Sequence, residues 1–125
     1  RVTAIERKPE RLATTEKNLA ANDIEGVELL EGEAPEGVPE DADALFLGGS
    51  RNYEAILDVA AETGIDRIVM NVSRLEIAGD AVRAFRERDL FEEVLQVQVS
   101  TGYELAGATS FDSNNPVYVI VGGAQ

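Results

Sequence analysis

The sequence predicts a single α/β domain in which helices cover a mostly parallel β-sheet with an antiparallel C-terminal edge. Short apolar segments alternate with amphipathic helical segments over residues 1–90, which is typical of a parallel sheet. Two apolar segments then follow near the C-terminus without a helix between them, and this implies the antiparallel edge. A length of 125 residues suits one core, so we expect one domain over residues 1–125.

The first part of the chain gives three strands and one helix. An apolar, β-branched segment at Val2–Glu6 predicts a strand, and Pro9 suits the first turn of a helix because its missing N–H would be unpaired there anyway. Apolar residues at helical spacing continue that helix to Ala21. A second strand is predicted at Val27–Glu31. After a loop rich in Gly and Pro, the apolar run Ala42–Leu47 indicates a buried parallel strand.

The rest of the chain gives two helices and three strands. Asn52 or Ser50 can cap the first of these helices and Ser73 the second, while Gly64 fits the position just after a helix end. The predicted elements are the helices Tyr53–Thr63 and Leu75–Arg88 and the strands Arg67–Val72, Val94–Val99 and Val117–Val121. We interpret the segment between the last two strands as a connection rich in Gly and Asn, which makes six strands and three helices in all.

Charge and composition exclude several classes of function. The formal net charge is −13, with 24 acidic against 11 basic side chains, and backbone binding to nucleic acid needs Lys and Arg to displace counterions. We therefore expect no nucleic-acid partner. No apolar run approaches the roughly 20 residues that cross a bilayer, and the absence of cysteine excludes disulfides, so we expect a cytoplasmic protein. The acids are dispersed along the chain, as in halophilic, salt-adapted proteins.

The chain lacks the side chains of many common active sites. With no His and no Cys, it has no imidazole base, no thiolate nucleophile and no His-based or Cys-based metal site, so we expect no metal. Neither a phosphate loop of the type G-x-x-x-x-G-K-[ST] nor a G-x-G-x-x-G turn is present. Candidate residues must therefore be sought at the carboxyl ends of the predicted strands, where open α/β sheets bind their ligands.

Four strand ends carry polar or small residues. Glu6 ends the first strand, where an acid hydrogen-bonds ribose hydroxyls in nucleotide-binding folds, although it also suits a solvated position near a helix N-terminus. Gly48 and Gly49 follow a buried strand and would let a ligand approach the backbone, or would simply form a tight turn. The remaining candidates lie at the ends of the second and fourth strands, namely Gly32-Glu33-Ala34-Pro35 and Asn71-Val72-Ser73.

Five short segments resemble one known family. They are Val2-Thr3-Ala4-Ile5-Glu6-Arg7, Gly32-Glu33-Ala34-Pro35-Glu36, Phe46-Leu47-Gly48-Gly49-Ser50, Asn71-Val72 and Asn115-Pro116-Val117. In order and spacing they resemble the cobalamin-pathway C15-methyltransferases that also decarboxylate: the archaeal cobalt-precorrin-6B enzyme and the matching domain of bacterial precorrin-6Y methyltransferase. The resemblance covers nearly the whole chain.

The resemblance implies a Rossmann-like class I methyltransferase sandwich with S-adenosylmethionine as cofactor. It further implies methyl transfer to C15 of a precorrin or cobalt-precorrin tetrapyrrole, with loss of carbon dioxide from an acetate side chain. By the resemblance, Glu6 would hold the cofactor ribose, and Ser50, Arg51 and Asn71 would face the tetrapyrrole. Because a chain of net charge −13 would repel substrate carboxylates, we expect Arg51 and Arg74 to act as local counter-charges. The candidate cofactor residues are Glu6, Arg7, Gly32, Glu33, Ala34, Gly48 and Gly49, and the candidate substrate residues are Ser50, Arg51, Asn71 and Arg74. No catalytic residue is assigned.

The chain departs from the family at its N-terminus. In the family, a first strand with a glycine-rich loop precedes the segment that corresponds to Val2–Glu6, and in the strand order 3-2-1-4-5-7-6 this strand lies in the middle of the sheet. We therefore expect an N-terminally truncated domain. The strands at Val2–Glu6 and Ala42–Leu47 would then each have an unpaired edge.

Two other functions remain open at this point. Glu6 could equally hold the ribose of NAD in a Rossmann oxidoreductase, or the chain could be a non-catalytic binding module. The family is often oligomeric, so we expect a homo-oligomer with the strand Val94–Val99 at its interface.

Overall fold

The computed structural model describes residues 1–125 and contains eight strands and three helices. In chain order these are β1 (Val2–Glu6), α1 (Pro9–Ala21), β2 (Val27–Glu31), β3 (Ala44–Leu47), α2 (Tyr53–Thr63), β4 (Arg67–Val72), α3 (Leu75–Glu87), β5 (Phe91–Val97), β6 (Ser100–Leu105), β7 (Ala108–Ser113) and β8 (Val117–Gly122). The chain divides into two compact units, residues 1–42 and 43–125. None of the three helices combines the length and the hydropathy needed to cross a bilayer.

The first unit is a two-stranded parallel sheet with one helix. β1 and β2 pair in register from Val2 opposite Val27 to Glu6 opposite Glu31, so their carboxyl ends lie side by side. α1 begins with a proline in its first turn and ends at Asn22, as predicted. β2 is the only strand neighbour of β1, so one edge of β1 is unpaired. No side chain of residues 1–42 is buried.

The second unit contains the hydrophobic core. Its main sheet has the order β3-β4-β8-β5, with β3 and β4 parallel and β8 antiparallel to both of its neighbours. The expected antiparallel C-terminal strand is therefore confirmed, and the outer edge of β3 is unpaired as expected. Buried side chains alternate along β4, and helices α2 and α3 supply the rest of the core. The largest fully buried side chains are Phe85, Leu57, Ile65, Ile68, Met70, Leu90 and Ile120.

The opposite face of this sheet is more open. Phe46 is 68% exposed, and the residue opposite it on the neighbouring strand β4 is the half-buried Val69. Asn71 lies on the same face as Val69, because the residues that alternate with it, Met70 and Val72, are buried.

Several predicted boundaries and caps were wrong. The third strand begins at Ala44 and not at Ala42, because its partner β4 begins opposite Ala44 at Arg67. β5 begins at Phe91, earlier than the predicted Val94, because Phe91 pairs with Gly122 across a bulge. Asn52 does precede α2, but with a left-handed backbone and no capping side-chain hydrogen bond.

The cap of α3 also differs, since Arg74 and not Ser73 takes that position and makes no side-chain cap.

The predicted count of six strands was also wrong, because residues 100–113 form a hairpin and not a loop. β6 and β7 pair antiparallel from Ser100 opposite Ser113 to Leu105 opposite Ala108. Ala106 and Gly107 connect them with φ values of 51° and 77°. Positive φ at both central residues is the geometry of a tight hairpin turn, for which Asn-Gly is the usual signal. Alanine at the first of these positions concealed the turn in the sequence.

Candidate functional site

Glu6 is held in place at the carboxyl end of β1. Its carboxylate Oε1 accepts a hydrogen bond from the backbone N–H of Lys8 at 3.0 Å, and the backbone N–H of Gly32 donates to its carbonyl oxygen at 3.1 Å. The first bond fixes the direction of the side chain at the start of α1, and the second joins the ends of β1 and β2. A carboxylate has about four acceptor positions, so the second oxygen, Oε2, can still accept hydroxyl donors. The residue therefore suits a ligand with vicinal hydroxyl groups.

The segment after β2 is a folded turn beside Glu6. Gly32, Glu33 and Ala34 are all half-buried, and the backbone N–H of Glu36 donates to the Glu33 carbonyl at 3.2 Å. A Cβ added at Gly32 would meet nothing within 4 Å, so there is open space in front of this residue. Arg7 is exposed. In this unit the structure thus brings together all of the predicted residues, with the acid and the open backbone on neighbouring strand ends.

A second group lies at the carboxyl ends of β3 and β4 in the second unit. Gly48, Gly49, Ser50 and Arg51 follow β3 directly. A Cβ at Gly48 would meet only the Phe46 ring, at an ordinary 3.6 Å, and a Cβ at Gly49 would meet nothing within 4 Å. Neither glycine has a positive φ. The fold itself therefore does not require these two glycines, and the space beside them is open to a ligand.

Asn71 and Arg74 belong to the same edge of the sheet. Asn71 lies inside β4 near its carboxyl end, opposite Val119, in agreement with the predicted strand Arg67–Val72. Arg74 is exposed at the start of α3. Parallel strands end at one edge of a sheet, so these residues and those after β3 form one group around the ends of β3 and β4.

The sequence interpretation did not include the start of β8 among the candidate site residues. Because β8 is antiparallel to β4, with Tyr118 opposite Val72, Asn115 and Pro116 reach the same sheet edge from the other direction. The signal for this placement was the absence of a helix before the last strand, which puts the beginning of that strand where its neighbours end.

Comparison with known proteins identifies the family. The model of the precorrin methyltransferase domain family matches residues 1–122. The chain belongs to that family. A probable cobalt-precorrin-6B C(15)-methyltransferase (decarboxylating) from Halobacterium salinarum is 70% identical over the whole chain, which spans 67% of that protein. The family expected from the five sequence segments is confirmed.

Two solved structures confirm the class I methyltransferase fold of this precorrin methyltransferase domain. A precorrin-6Y C5,15-methyltransferase from Geobacter metallireducens matches 98% of the chain with a TM-score of 0.88 and 33% identity. A precorrin 8W decarboxylase from Methanobacterium thermoautotrophicum matches 99% with a TM-score of 0.87 and 31% identity. The chain spans 68% and 70% of these two proteins. The predicted fold class is therefore correct.

Proposed function

We propose that this precorrin methyltransferase domain transfers a methyl group to C15 of a precorrin or cobalt-precorrin tetrapyrrole and decarboxylates an acetate side chain of the same substrate. The observation that carries the proposal is the match of the family over residues 1–122, supported by the relative of the same printed activity at 70% identity. We also propose that residues 1–125 belong to one methyltransferase domain, as expected from the sequence.

The cofactor in this proposal is S-adenosylmethionine, and the residues of the first unit suit it. Glu6 keeps a carboxylate oxygen available for ribose hydroxyls, and the open backbone at Gly32 leaves room for the flat adenine beside Glu33 and Ala34. Arg7 follows Glu6 at the same strand end. When bound, the cofactor supplies an electrophilic methyl group. The protein contributes the positions of the hydrogen-bond acceptors.

Residues of the second unit are assigned to the methionine part of the cofactor and to the substrate. The open space at Gly48 and Gly49 suits close approach of the methionine part, while Ser50 and Asn71 offer hydrogen bonds to the tetrapyrrole. Arg51 and Arg74 are the cations that can attract carboxylates in a chain of net charge −13. With no imidazole or thiol available, these residues act by orientation and electrostatics and not as proton carriers.

Calorimetric titration with S-adenosylmethionine and with NAD tests the cofactor, using a polypeptide of the relatives' full length. Glu6→Gln keeps the size of the side chain but replaces a charged acceptor with an amide. Hydrogen bonds to charged groups contribute about 1.5–3 kcal/mol, so the dissociation constant for S-adenosylmethionine should rise roughly 10- to 150-fold. Glu10→Gln, at an exposed position in the first turn of α1, is the matched control and should leave the dissociation constant for S-adenosylmethionine unchanged.

Other outcomes would contradict this assignment. Heat with NAD alone would support an oxidoreductase, and no heat with either cofactor would support a non-catalytic module. Equal effects of the two glutamine variants would remove Glu6 from the cofactor site.

A double variant tests the substrate side. Arg51→Ala with Arg74→Ala should weaken tetrapyrrole binding at least tenfold while leaving S-adenosylmethionine affinity unchanged. Arg11→Ala with Arg83→Ala removes the same charge from exposed helix positions and is the control. If both double variants lose tetrapyrrole affinity equally, the effect is one of net charge and the local assignment is wrong.

We further propose that the protein is adapted to high salt and works as a homo-oligomer. The dispersed excess of 13 negative charges supports salt adaptation, because screening reduces the repulsion within the folded chain. The midpoint of thermal unfolding should rise steadily from dilute to molar KCl, and an unchanged midpoint would contradict this. Exposed apolar side chains on β5, including Val94, Leu95 and Val97, support assembly.

A further inference from the structure

The segment Asn115-Pro116-Val117 has no role in the proposed site, although the strand order brings it to the edge at which β3 and β4 end. Tyr118 lies opposite Val72, the last residue of β4, and β8 is antiparallel to β4. Asn115 therefore lies three residues beyond that strand end. At about 3.3 Å per residue, this places it roughly 10 Å past β4, at the rim of the proposed substrate site.

An irregularity in strand pairing occurs at this segment. The last pair of β5 and β8 is Val97 with Val117, and the first pair of β6 and β7 is Ser100 with Ser113. Between these two pairs lie two residues on one strand and three on the other, residues 114–116. One extra residue on one strand is the count of a β-bulge, a feature that is frequent beside active sites because it redirects a side chain.

The bulge presents the side chain of Asn115 at little cost to the sheet. Pro116 has no N–H to pair, so it is tolerated at a bulge, and its ring biases the residue before it towards an extended backbone. Asn115 is exposed, and its amide offers two N–H donors and an acceptor without a net charge. The edge therefore holds an uncharged donor in a restricted conformation in addition to the cations Arg51 and Arg74.

Loss of carbon dioxide makes different demands on the carboxylates of one substrate. The bond between the acetate methylene carbon and its carboxyl carbon breaks, carbon dioxide leaves, and the electron pair passes into the conjugated macrocycle. A proton from water then completes a methyl group on the same carbon. Because the negative charge leaves the carboxylate in the transition state, a cation paired with it would stabilise the ground state more and slow the step. Carboxylates that stay in the product are under no such restriction.

We propose that Asn115 binds the acetate carboxylate that is lost, while Arg51 and Arg74 bind carboxylates that stay in the product. Arg51 follows β3, which is two strands from β8 and thus roughly 10 Å across the sheet, so these residues would reach different carboxylates of a wide substrate. The amide of Asn115 orients the departing carboxylate and leaves its charge free to move. This inference rests on the proposed function and adds a residue for its decarboxylation step.

Single turnovers of the full-length protein with S-adenosylmethionine and a cobalt-precorrin substrate test the inference. Carbon dioxide and S-adenosylhomocysteine are measured in the same reaction, and the wild type should release them in equal amounts. Asn115→Ala should slow the release of carbon dioxide roughly tenfold or more, the loss expected for a hydrogen bond to a charged group, and leave S-adenosylmethionine affinity unchanged. Asn114→Ala is the matched control, because Asn114 carries the same amide but remains in the ladder, where its N–H donates to the Val99 carbonyl at 2.9 Å.

Two charged variants separate orientation from simple attraction. Asn115→Arg should bind the tetrapyrrole more tightly than the wild type, with a lower KM, and yet release carbon dioxide more slowly. Asn115→Asp keeps the size of the side chain but repels the carboxylate, so it should raise the KM as well as slow the release. It keeps the test decisive if the alanine variant does not fold, and circular dichroism checks the folding of each variant.

The possible failures are distinguishable. A wild type that transfers no methyl group or releases no carbon dioxide overturns the proposed function. A wild type with both activities, whose Asn115→Ala variant releases carbon dioxide as fast as Asn114→Ala, overturns only the role of Asn115. Faster release by Asn115→Arg would show that a cation assists the step, and the requirement for an uncharged donor would then be wrong.

Discussion

Replacing Gly49 with alanine should stabilise the protein and weaken its cofactor binding, two effects of opposite sign. A Cβ at this position meets no atom within 4 Å, and the backbone is not in a left-handed conformation. Alanine at such a position stabilises a fold by about 0.4–1 kcal/mol, because it restricts the unfolded chain. The same methyl group would occupy the space through which we propose that the cofactor approaches.

The binding loss can be worked out from the cost of overpacking. One extra methyl group in a filled contact costs about 1–3 kcal/mol, which corresponds to a roughly 5- to 150-fold higher dissociation constant. Gly48→Ala should act in the same direction on binding and on stability, since its Cβ would make only an ordinary 3.6 Å contact with the Phe46 ring. Urea unfolding followed by circular dichroism measures stability, and calorimetric titration with S-adenosylmethionine measures affinity.

Gly79→Ala supplies the matched control. Gly79 lies in α3 with nothing near its Cβ, so alanine should stabilise this helix by roughly 0.5–1 kcal/mol and leave affinity unchanged. If Gly49→Ala binds S-adenosylmethionine as tightly as Gly79→Ala does, the two glycines after β3 do not face the cofactor and the proposed site is wrong there.

Three further predictions concern stability and are read from unfolding curves. Gly122→Ala places its Cβ against the Leu90 carbonyl oxygen, so the free energy of unfolding should fall by about 3 kcal/mol. A loss no larger than that of a typical surface substitution would contradict the close packing of Gly122 against Leu90. Arg88→Ala removes a 2.7 Å hydrogen bond to Asp58 and should cost about 1–2 kcal/mol, whereas Arg88→Lys should recover part of it. Burial, followed by nearby carboxylates, raises the pKa of Tyr53 above its ordinary value near 10, so stability should decline as pH rises above 10, and Tyr53→Phe should flatten that decline.

Much of the fold could be predicted from periodicity and turn chemistry alone. The elements Val2–Glu6, Pro9–Ala21 and Arg67–Val72 were predicted with their observed bounds, because apolar runs and breakers define them locally. The hairpin of β6 and β7 was missed for a physical reason: its strands contain few apolar residues that alternate, and its turn uses Ala106 where asparagine would have been the signal.

The candidate site was only partly accessible to sequence reasoning. Strand ends locate Glu6 in the first unit and Gly48 in the second, because ligands of α/β sheets bind at the carboxyl ends of parallel strands. The hydrogen bond from Lys8 to the Glu6 carboxylate and the arrival of Asn115 at the edge of β4 depend on loop geometry and on strand order. These features have no local signal in the sequence.

The lack of buried side chains in residues 1–42 has a consequence for the effect of cofactor binding on local motion. Local opening costs least where few apolar groups are buried, so the amides of β1 and β2 should exchange with solvent sooner than those of β4, which contains the fully buried Ile68 and Met70. A ligand bound by Glu6 would then restrict the motion of this unit, and the loss of conformational entropy would offset part of the binding free energy. Affinity measured by titration would therefore understate the strength of the contacts at Glu6.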